Sequence, residues 1–253
     1  MTGVEDKGVP PRRGVLGRSG GLAAGLIGLL IGASAVALWA KTGNTPAPTE
    51  RAATEKIVHD YLLANPELIP AAMQRLQDRE TAKAIGARRA AYETPFGSAW
   101  AGAEDGDVVL VEFFDYACGY CRKSNADVDR LLREDKGLKA VWREFPVLGE
   151  DSVLAAEASL AAAQQGKFAA YFTRQFALGR PNARTVAEAQ RAAGVTPMPA
   201  SQAARSEIER NYGLTSAIQA SGTPTFVVGD RVLHGAVGYD ALKQAIAVAR
   251  SND

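Results

Sequence analysis

The run "DVVLVEFF" at residues 107–114 constrains this chain more than any other stretch, because after Asp107 it is apolar throughout except for one acid, Glu112. A strand that is apolar on both faces has to be covered on both, which makes it the central strand of a sheet flanked by helices. The segment "CRKSNADVDRLLRED" that follows has helical character and stops at Gly137, and "LKAVWREF" (138–145) reads as a second strand ended by Pro146. Strand–helix–strand is the usual connection between parallel strands. From 150 to about 218 the pattern is helical in several pieces, "SVLAAEASLAAAQQG", "KFAAYFTRQFALG", "TVAEAQRAAG" and "SQAARSEIERNYGLTSAIQAS". "TPTFVVGDRVLHGAV" (223–237) reads as a β-hairpin turning around Gly229-Asp230, and "YDALKQAIAVARSN" as a closing helix. No internal repeat is present. The order predicts an α/β domain over residues 94–253 with a helical insertion at about 150–218.

Upstream, residues 21–40, "GLAAGLIGLLIGASAVALWA", carry no charge. As a helix this length reaches about 30 Å, the thickness of a bilayer's hydrocarbon core. Lys7, Arg12, Arg13 and Arg18 precede it, and only Lys41 follows before "TGNTPAPTE". The positive-inside rule then places everything after residue 41 outside the cytoplasm. A signal peptide cleaved at Ala33-Ser34-Ala35 or Ala35-Val36-Ala37 is one reading. An uncleaved anchor is the reading adopted, because the span exceeds the roughly 7–15 residues of a signal-peptide core. Both export the domain. The expected organisation is therefore 1–41 as n-region and anchor, 42–50 as linker, and 51–93 as a short helical region.

Within that region Ile57, Val58, Tyr61 and Leu62 share a face, and Asn65-Pro66-Glu67 restarts a helix with Asn65 as N-cap. Leu68, Ile69, Ala72, Met73 and Leu76 form the next stripe, whereas 78–91 looks too polar and alanine-rich to bury much surface. Two uses stay open, packing on the main domain or joining copies of the chain through residues 51–92.

A net charge of +1 without a basic run leaves no electrostatic footprint for nucleic acid. The only cysteines, Cys118 and Cys121, lie in "FFDYACGYCRKS" (113–124). Zinc needs four ligands, and the only additional histidines, His59 and His234, sit in distant segments, so neither metal nor cofactor is expected. His59 reads as a surface residue and His234 as a partner in a local hydrogen bond. A structural disulfide across so small a loop would stabilise little. Redox exchange remains, and the context supports it. Cys118, at the first position of a helix, meets unpaired N–H groups and the positive end of the dipole, which favour its thiolate. Cys121, one turn further in, suits the resolving role, attacking a mixed disulfide to release substrate. Asp115 and Tyr116 are read as shaping the loop.

The stretches "VEFFDYACGYC", "REFPVLGEDSVLAAEASLAAAQQGKF" and "SGTPTFVVGDRVLHGAVGYDAL" resemble the thioredoxin-fold DsbA family of exported thiol–disulfide oxidoreductases, notably its ScsC- and DsbG-like members with extra N-terminal residues. The likeness spans most of residues 107–245 and implies a thioredoxin-like fold of the DsbA type, with its helical insertion. It implies that Pro224 is a cis-proline facing the cysteine pair and that Thr223 offers main-chain groups to an extended substrate peptide. It also implies that Gly119 and Tyr120 belong to the substrate-binding surface, and that Glu112 is a buried acid with raised pKa shuttling the proton of Cys121.

Gly119-Tyr120 departs from the Pro-His pair of strongly oxidising members and, with Thr before the cis-proline, resembles disulfide isomerases of the DsbC kind. The expectation is an exported, periplasmic oxidoreductase anchored by residues 21–40, with isomerase or reductase use ahead of net oxidation. A DsbA-like oxidase and a non-enzymatic, membrane-tethered chaperone or interaction module are the alternatives. Its implied partners are protein thiols and disulfides, and a membrane redox protein, DsbD-like for a reductase or DsbB-like for an oxidase.

Overall fold

A computed structural model describes residues 48–252, and these divide into two units, one ending at Leu68 and one starting at Ile69. In the first unit helix α1 (Pro48–Ala64) is exposed along its length. Its first turn takes in Pro48–Glu50, the end of the expected linker; proline is well suited to a helix start because its missing N–H would have no partner there. Asn65 does not cap the following helix with its side chain. Its amide instead donates back to the Tyr61 carbonyl at 2.9 Å and closes α1, while its main-chain carbonyl accepts from Leu68 N–H at 3.1 Å.

Beyond it the elements run α2 (Leu68–Gly86), α3 (Arg89–Glu93), β1 (Trp100–Gly102), β2 (Val108–Phe114), α4 (Gly119–Glu134), β3 (Leu138–Glu144), α5 (Glu150–Gln164), α6 (Phe168–Leu178), α7 (Ala183–Ala192), α8 (Gln202–Ala217), β4 (Thr225–Val228), β5 (Arg231–His234) and α9 (Tyr239–Asn252). The strands form one sheet in the order β1-β3-β2-β4-β5. β2 and β3 are parallel and the other neighbours antiparallel. The apolar run is thus the middle strand. β4 and β5 pair Val228 with Arg231, leaving Gly229-Asp230 as the turn, and Gly229 supplies the positive φ of +55° that the turn uses.

Alternation along β2 sorts its side chains into two cores. Val108, Leu110 and Phe114 enter the larger one, packed against Phe168, Phe172 and Phe176 of α6 and Leu242 of α9, and both cysteines lie in it. Val111 and Phe113 enter the other with Leu214, Ile218, Ile85 and Tyr92. The last two correct the sequence reading of residues 78–91: Ile85 of α2 is fully buried, as is Tyr92 just beyond that stretch, whose hydroxyl donates to the Leu214 carbonyl at 2.8 Å. The edge strand β1, paired with β3 through Trp100 and Val141, was not expected either.

The membrane-spanning helix is a further correction. Among the described residues no helix is long and apolar enough to cross a membrane. The longest, α2, carries Arg75, Asp78, Arg79, Glu80 and Lys83, charges a hydrocarbon core would not tolerate. Residues 21–40, on which the expected anchor rested, lie outside the described residues. The fold described here therefore includes no transmembrane element, and the anchored placement drawn from one is set aside.

Arg143 of β3 ties the second core together while only 2% exposed. Its guanidinium donates to Glu207 at 2.6 Å, to the Asn211 side-chain oxygen at 3.1 Å, to the Tyr92 carbonyl at 2.8 Å and to the Ala91 and Thr94 carbonyls at 2.5 Å each. Removing one member of such a pair leaves a buried charge without compensation and costs about 3–5 kcal/mol. Arg143→Met is expected to lower the unfolding free energy by about that amount in urea titrations, and adding Glu207→Leu is expected to recover part of it.

Candidate active site

The turn between β2 and α4 places the cysteines. Cys118 is the N-cap of α4, with extended backbone (φ −82°, ψ 117°), and its sulfur accepts from Cys121 N–H at 3.5 Å. Its own N–H donates to the Asp115 carbonyl at 3.0 Å. The sulfur thus sits where the first N–H groups of the helix have no carbonyl to bond. Cys121, one turn in, is completely buried, and Cys118 is 6% exposed. Both are free thiols. Tyr120 between them projects outward, 68% exposed, and Gly119 is exposed beside it. Across the site the Thr223–Pro224 peptide bond is cis, and the Thr223 carbonyl accepts from the Cys118 thiol at 3.3 Å.

The two sulfurs have opposite proton affinities. Cys118 is lowered to about 5, chiefly because the Cys121 thiol donates to it; burial opposes this, and the Thr223 side chain and the N–H groups of Cys121 and Tyr120 reinforce it. Donation from the Cys118 thiol to the Thr223 carbonyl favours the protonated form, so the larger part of the lowering comes from Cys121 on the helix side of the sulfur. Cys121 is pushed far up by burial, then by its bond to Cys118 and the nearby charge of Glu112.

Glu112 lies on the face of β2 that enters the cysteine-bearing core, opposite Trp142 of β3 and Phe226 of β4. Burial raises it to about 8. The Trp142 indole N–H, donating at 3.0 Å, works against this, and charge on Cys118 and Asp129 adds to it. Its other oxygen is buried without a hydrogen-bond partner. The result is a carboxyl that holds its proton near neutrality, within electrostatic reach of both cysteines.

Cys118, Cys121, Glu112, Thr223 and Pro224 therefore meet at one place, with Gly119 and Tyr120 at its surface. His59 and His234 lie elsewhere and are exposed, and no metal-ligating cluster occurs among the described residues. Sequence reasoning missed Trp142 as the partner of Glu112; the signal was its equivalent place in the second parallel strand.

A family model described as a DSBA-like thioredoxin domain matches residues 109–247, and one described as the copper resistance protein ScsC N-terminal domain matches residues 50–83. Among solved structures, a linker-deletion mutant of Proteus mirabilis ScsC superposes with a TM-score of 0.69 at 23% identity, covering 83% of this chain and 100% of that one. A periplasmic thioredoxin-like protein from Salmonella enterica serovar Typhimurium gives 0.61 at 26% identity, over 64% of this chain and 95% of the other. A thioredoxin-like oxidoreductase from Silicibacter pomeroyi gives 0.58 at 35% identity, over 60% and 91%.

Matching curated proteins are the Na(+)/H(+) antiporter NhaA of Herminiimonas arsenicoxydans, 36% identical over 150 residues, and an NhaA of Salinispora tropica, 28% identical over 158. The matches take in 55% and 58% of this chain but only 23% and 24% of those proteins, so the chain spans about a quarter of the curated relatives' length. Fold and family model agree on a thioredoxin fold of the DSBA-like type. The chain belongs to the DSBA-like thioredoxin family.

The pKa shifts set a pH dependence of stability. Cys118, lowered from 9.0 to about 5, favours the reduced fold increasingly as pH rises between those values. Glu112, raised from 4.5 to about 8, has the opposite effect, its contribution being lost as pH rises through that range. In unfolding measurements on the reduced protein, the stability gap between wild type and Cys118→Ser is expected to widen from pH 5 toward 9. Over the same titration Glu112→Gln is expected to gain stability relative to wild type between pH 4.5 and 8.

Proposed function

We propose that the chain is an extracytoplasmic disulfide isomerase or reductase in which Cys118 attacks, Cys121 resolves and Glu112 handles the proton of Cys121. The observation that carries the exchange reaction is the pair of opposed sulfurs, one lowered to about 5 at a helix start and the other buried and held protonated; the direction of use rests on Gly119-Tyr120 and Thr223. The Cys118 thiolate attacks a substrate disulfide; a bond forms from its sulfur to one substrate sulfur, and the other leaves as thiolate. In isomerisation that thiolate attacks elsewhere in the client, and Cys118 is released when a client thiolate displaces it. In reduction Cys121 loses its proton to the ionised form of Glu112, a fraction of which is present near neutrality with a pKa of about 8, and attacks the Cys118 sulfur. The second substrate thiolate then leaves, and two electrons have passed from the dithiol to the client. Thr223 and Pro224, with Gly119 and Tyr120, form the surface on which an extended client segment lies.

Gly119-Tyr120 and Thr223 support isomerase or reductase use, which requires a DsbD-like membrane reductant. Of residues 51–93 the exposed apolar part is assigned to self-association, whereas Ile85 and Tyr92 belong to the second core; residues 94–253 are assigned to catalysis. Ile57, Tyr61 and Leu63 of α1 are 68%, 58% and 69% exposed, and Ile69 and Met73 of α2 are 53% and 66% exposed, apolar side chains that assembly would cover. Placement outside the cytoplasm is supported by the periplasmic relative from Salmonella. A second reading, net oxidation with a DsbB-like partner, is favoured by the lowered Cys118, since a stabilised thiolate makes the disulfide form a stronger oxidant.

The test is reactivation of a disulfide-scrambled protein by the reduced enzyme. Recovery is expected with wild type and expected to vanish with Cys118→Ser. Ile57→Glu combined with Leu63→Glu is expected to lower both recovery and the mass measured by light scattering. Absent recovery, with fast oxidation of a reduced client by the disulfide form, would contradict the isomerase assignment and support the oxidase.

A further inference from the structure

Asp115 follows the last residue of β2 and is 2% exposed. Its carboxylate accepts three main-chain hydrogen bonds from two separate loops. One oxygen takes the Ala117 N–H at 2.7 Å, and the other takes Val147 N–H at 2.9 Å and Leu148 N–H at 3.0 Å. Its own carbonyl accepts the Cys118 N–H at 3.0 Å. Bonds from N–H groups to an ionised carboxylate are about twice as strong as neutral ones, so this side chain is a firm point in an otherwise irregular stretch. The loop after β3 is braced from its far side as well, where the Tyr212 hydroxyl donates to the Pro146 carbonyl at 2.6 Å.

We propose that Asp115 is a positioning residue for the exchange reaction: it pins the turn before α4 to the loop after β3, and so holds the Cys118 sulfur against the N–H groups that begin the helix. The proposal rests on the reading of Cys118 as the attacking sulfur. The titratable groups facing that sulfur are Cys121 from α4 and Glu112 from β2, with Thr223 contributing only neutral groups. Asp115 acts through geometry, and its charge alone would act the other way. A carboxylate near a thiolate disfavours it, so neutralising Asp115 without moving the turn would ease ionisation of Cys118. Loss of the three bonds lets the turn relax away from the sulfur and makes ionisation harder.

The sign of the change therefore separates the two roles. Asp115→Asn keeps the shape, but its amide nitrogen cannot accept, so one loop or the other meets a donor where it needs an acceptor. Asp115→Glu keeps the charge and displaces both oxygens by one methylene. In the folded, reduced variants, the pH midpoint of Cys118 ionisation, followed by ultraviolet absorbance and alkylation rate, is expected to rise by about one unit, a tenfold smaller thiolate fraction below the midpoint.

A midpoint that stays in place or falls in folded Asp115→Asn would overturn the proposal while leaving Cys118 as nucleophile. Amide hydrogen exchange on the wild type is the arm that needs no variant. Val147, Leu148 and Ala117 are expected to be protected together, and free exchange at Val147 and Leu148 would overturn the proposal even if both variants failed to fold. A wild-type midpoint at an ordinary thiol value would contradict the reading of Cys118 itself and remove what Asp115 is said to hold.

Discussion

The main chain passes from a strand buried on both faces to the start of a helix within the turn at residues 115–118, and the chemistry of the protein depends on how that junction is made. A helix start has N–H groups with no carbonyl within reach, and something has to accept from them. Here the Cys118 sulfur is the N-cap, accepting from Cys121 N–H. The same local geometry makes the sulfur acidic and leaves it at the edge of the core, while the helix carries Cys121 one turn deeper, fully buried. A single backbone feature thus gives the pair one acidic and one buried, protonated sulfur, as the proposed attacking and resolving roles require.

The surroundings sharpen that division. Glu112 and the cysteines lie in one core because strand alternation sends residues 108, 110, 112 and 114 to the same face. An acid in that core keeps its proton, and the Trp142 indole fixes one of its oxygens while the other is left without a partner. A group with proton affinity near that of the medium suits proton transfer, because it can both accept and release. On the opposite side of Cys118 lie the Thr223 carbonyl and the backbone beside Pro224, the edge to which the proposed function assigns an extended client segment.

Much of this could be read in the residues themselves, and where reading stopped there is a physical reason. The β2 run, the helix beginning at the cysteines and the turn at Gly229-Asp230 are local signals, set by side-chain periodicity and glycine conformation. The bond between Glu112 and Trp142 depends on the register of two strands separated by a whole helix. Nothing local to β3 marks Arg143, because its partners, Glu207 and Asn211, come from α8. Ile85 sits in a polar, alanine-rich stretch, with Tyr92 just after it, and the average composition there hid two large side chains filling one core. β1 is three residues long, too short for alternation to show. The placement of Pro224 opposite the cysteines came from family resemblance, since nothing local to "GTPTF" specifies what it will face.

The most direct measurement traps the intermediate on which the account depends. A Cys121→Ser protein, reduced and mixed with a disulfide-bearing peptide, is expected to accumulate a mixed disulfide that mass spectrometry locates on Cys118, and to do so fastest above pH 5. The matching Cys118→Ser protein, with its remaining thiol buried, is expected to accumulate almost none. An adduct forming on Cys121 as readily as on Cys118, or no adduct on either, would contradict the assignment of this pair to thiol–disulfide exchange.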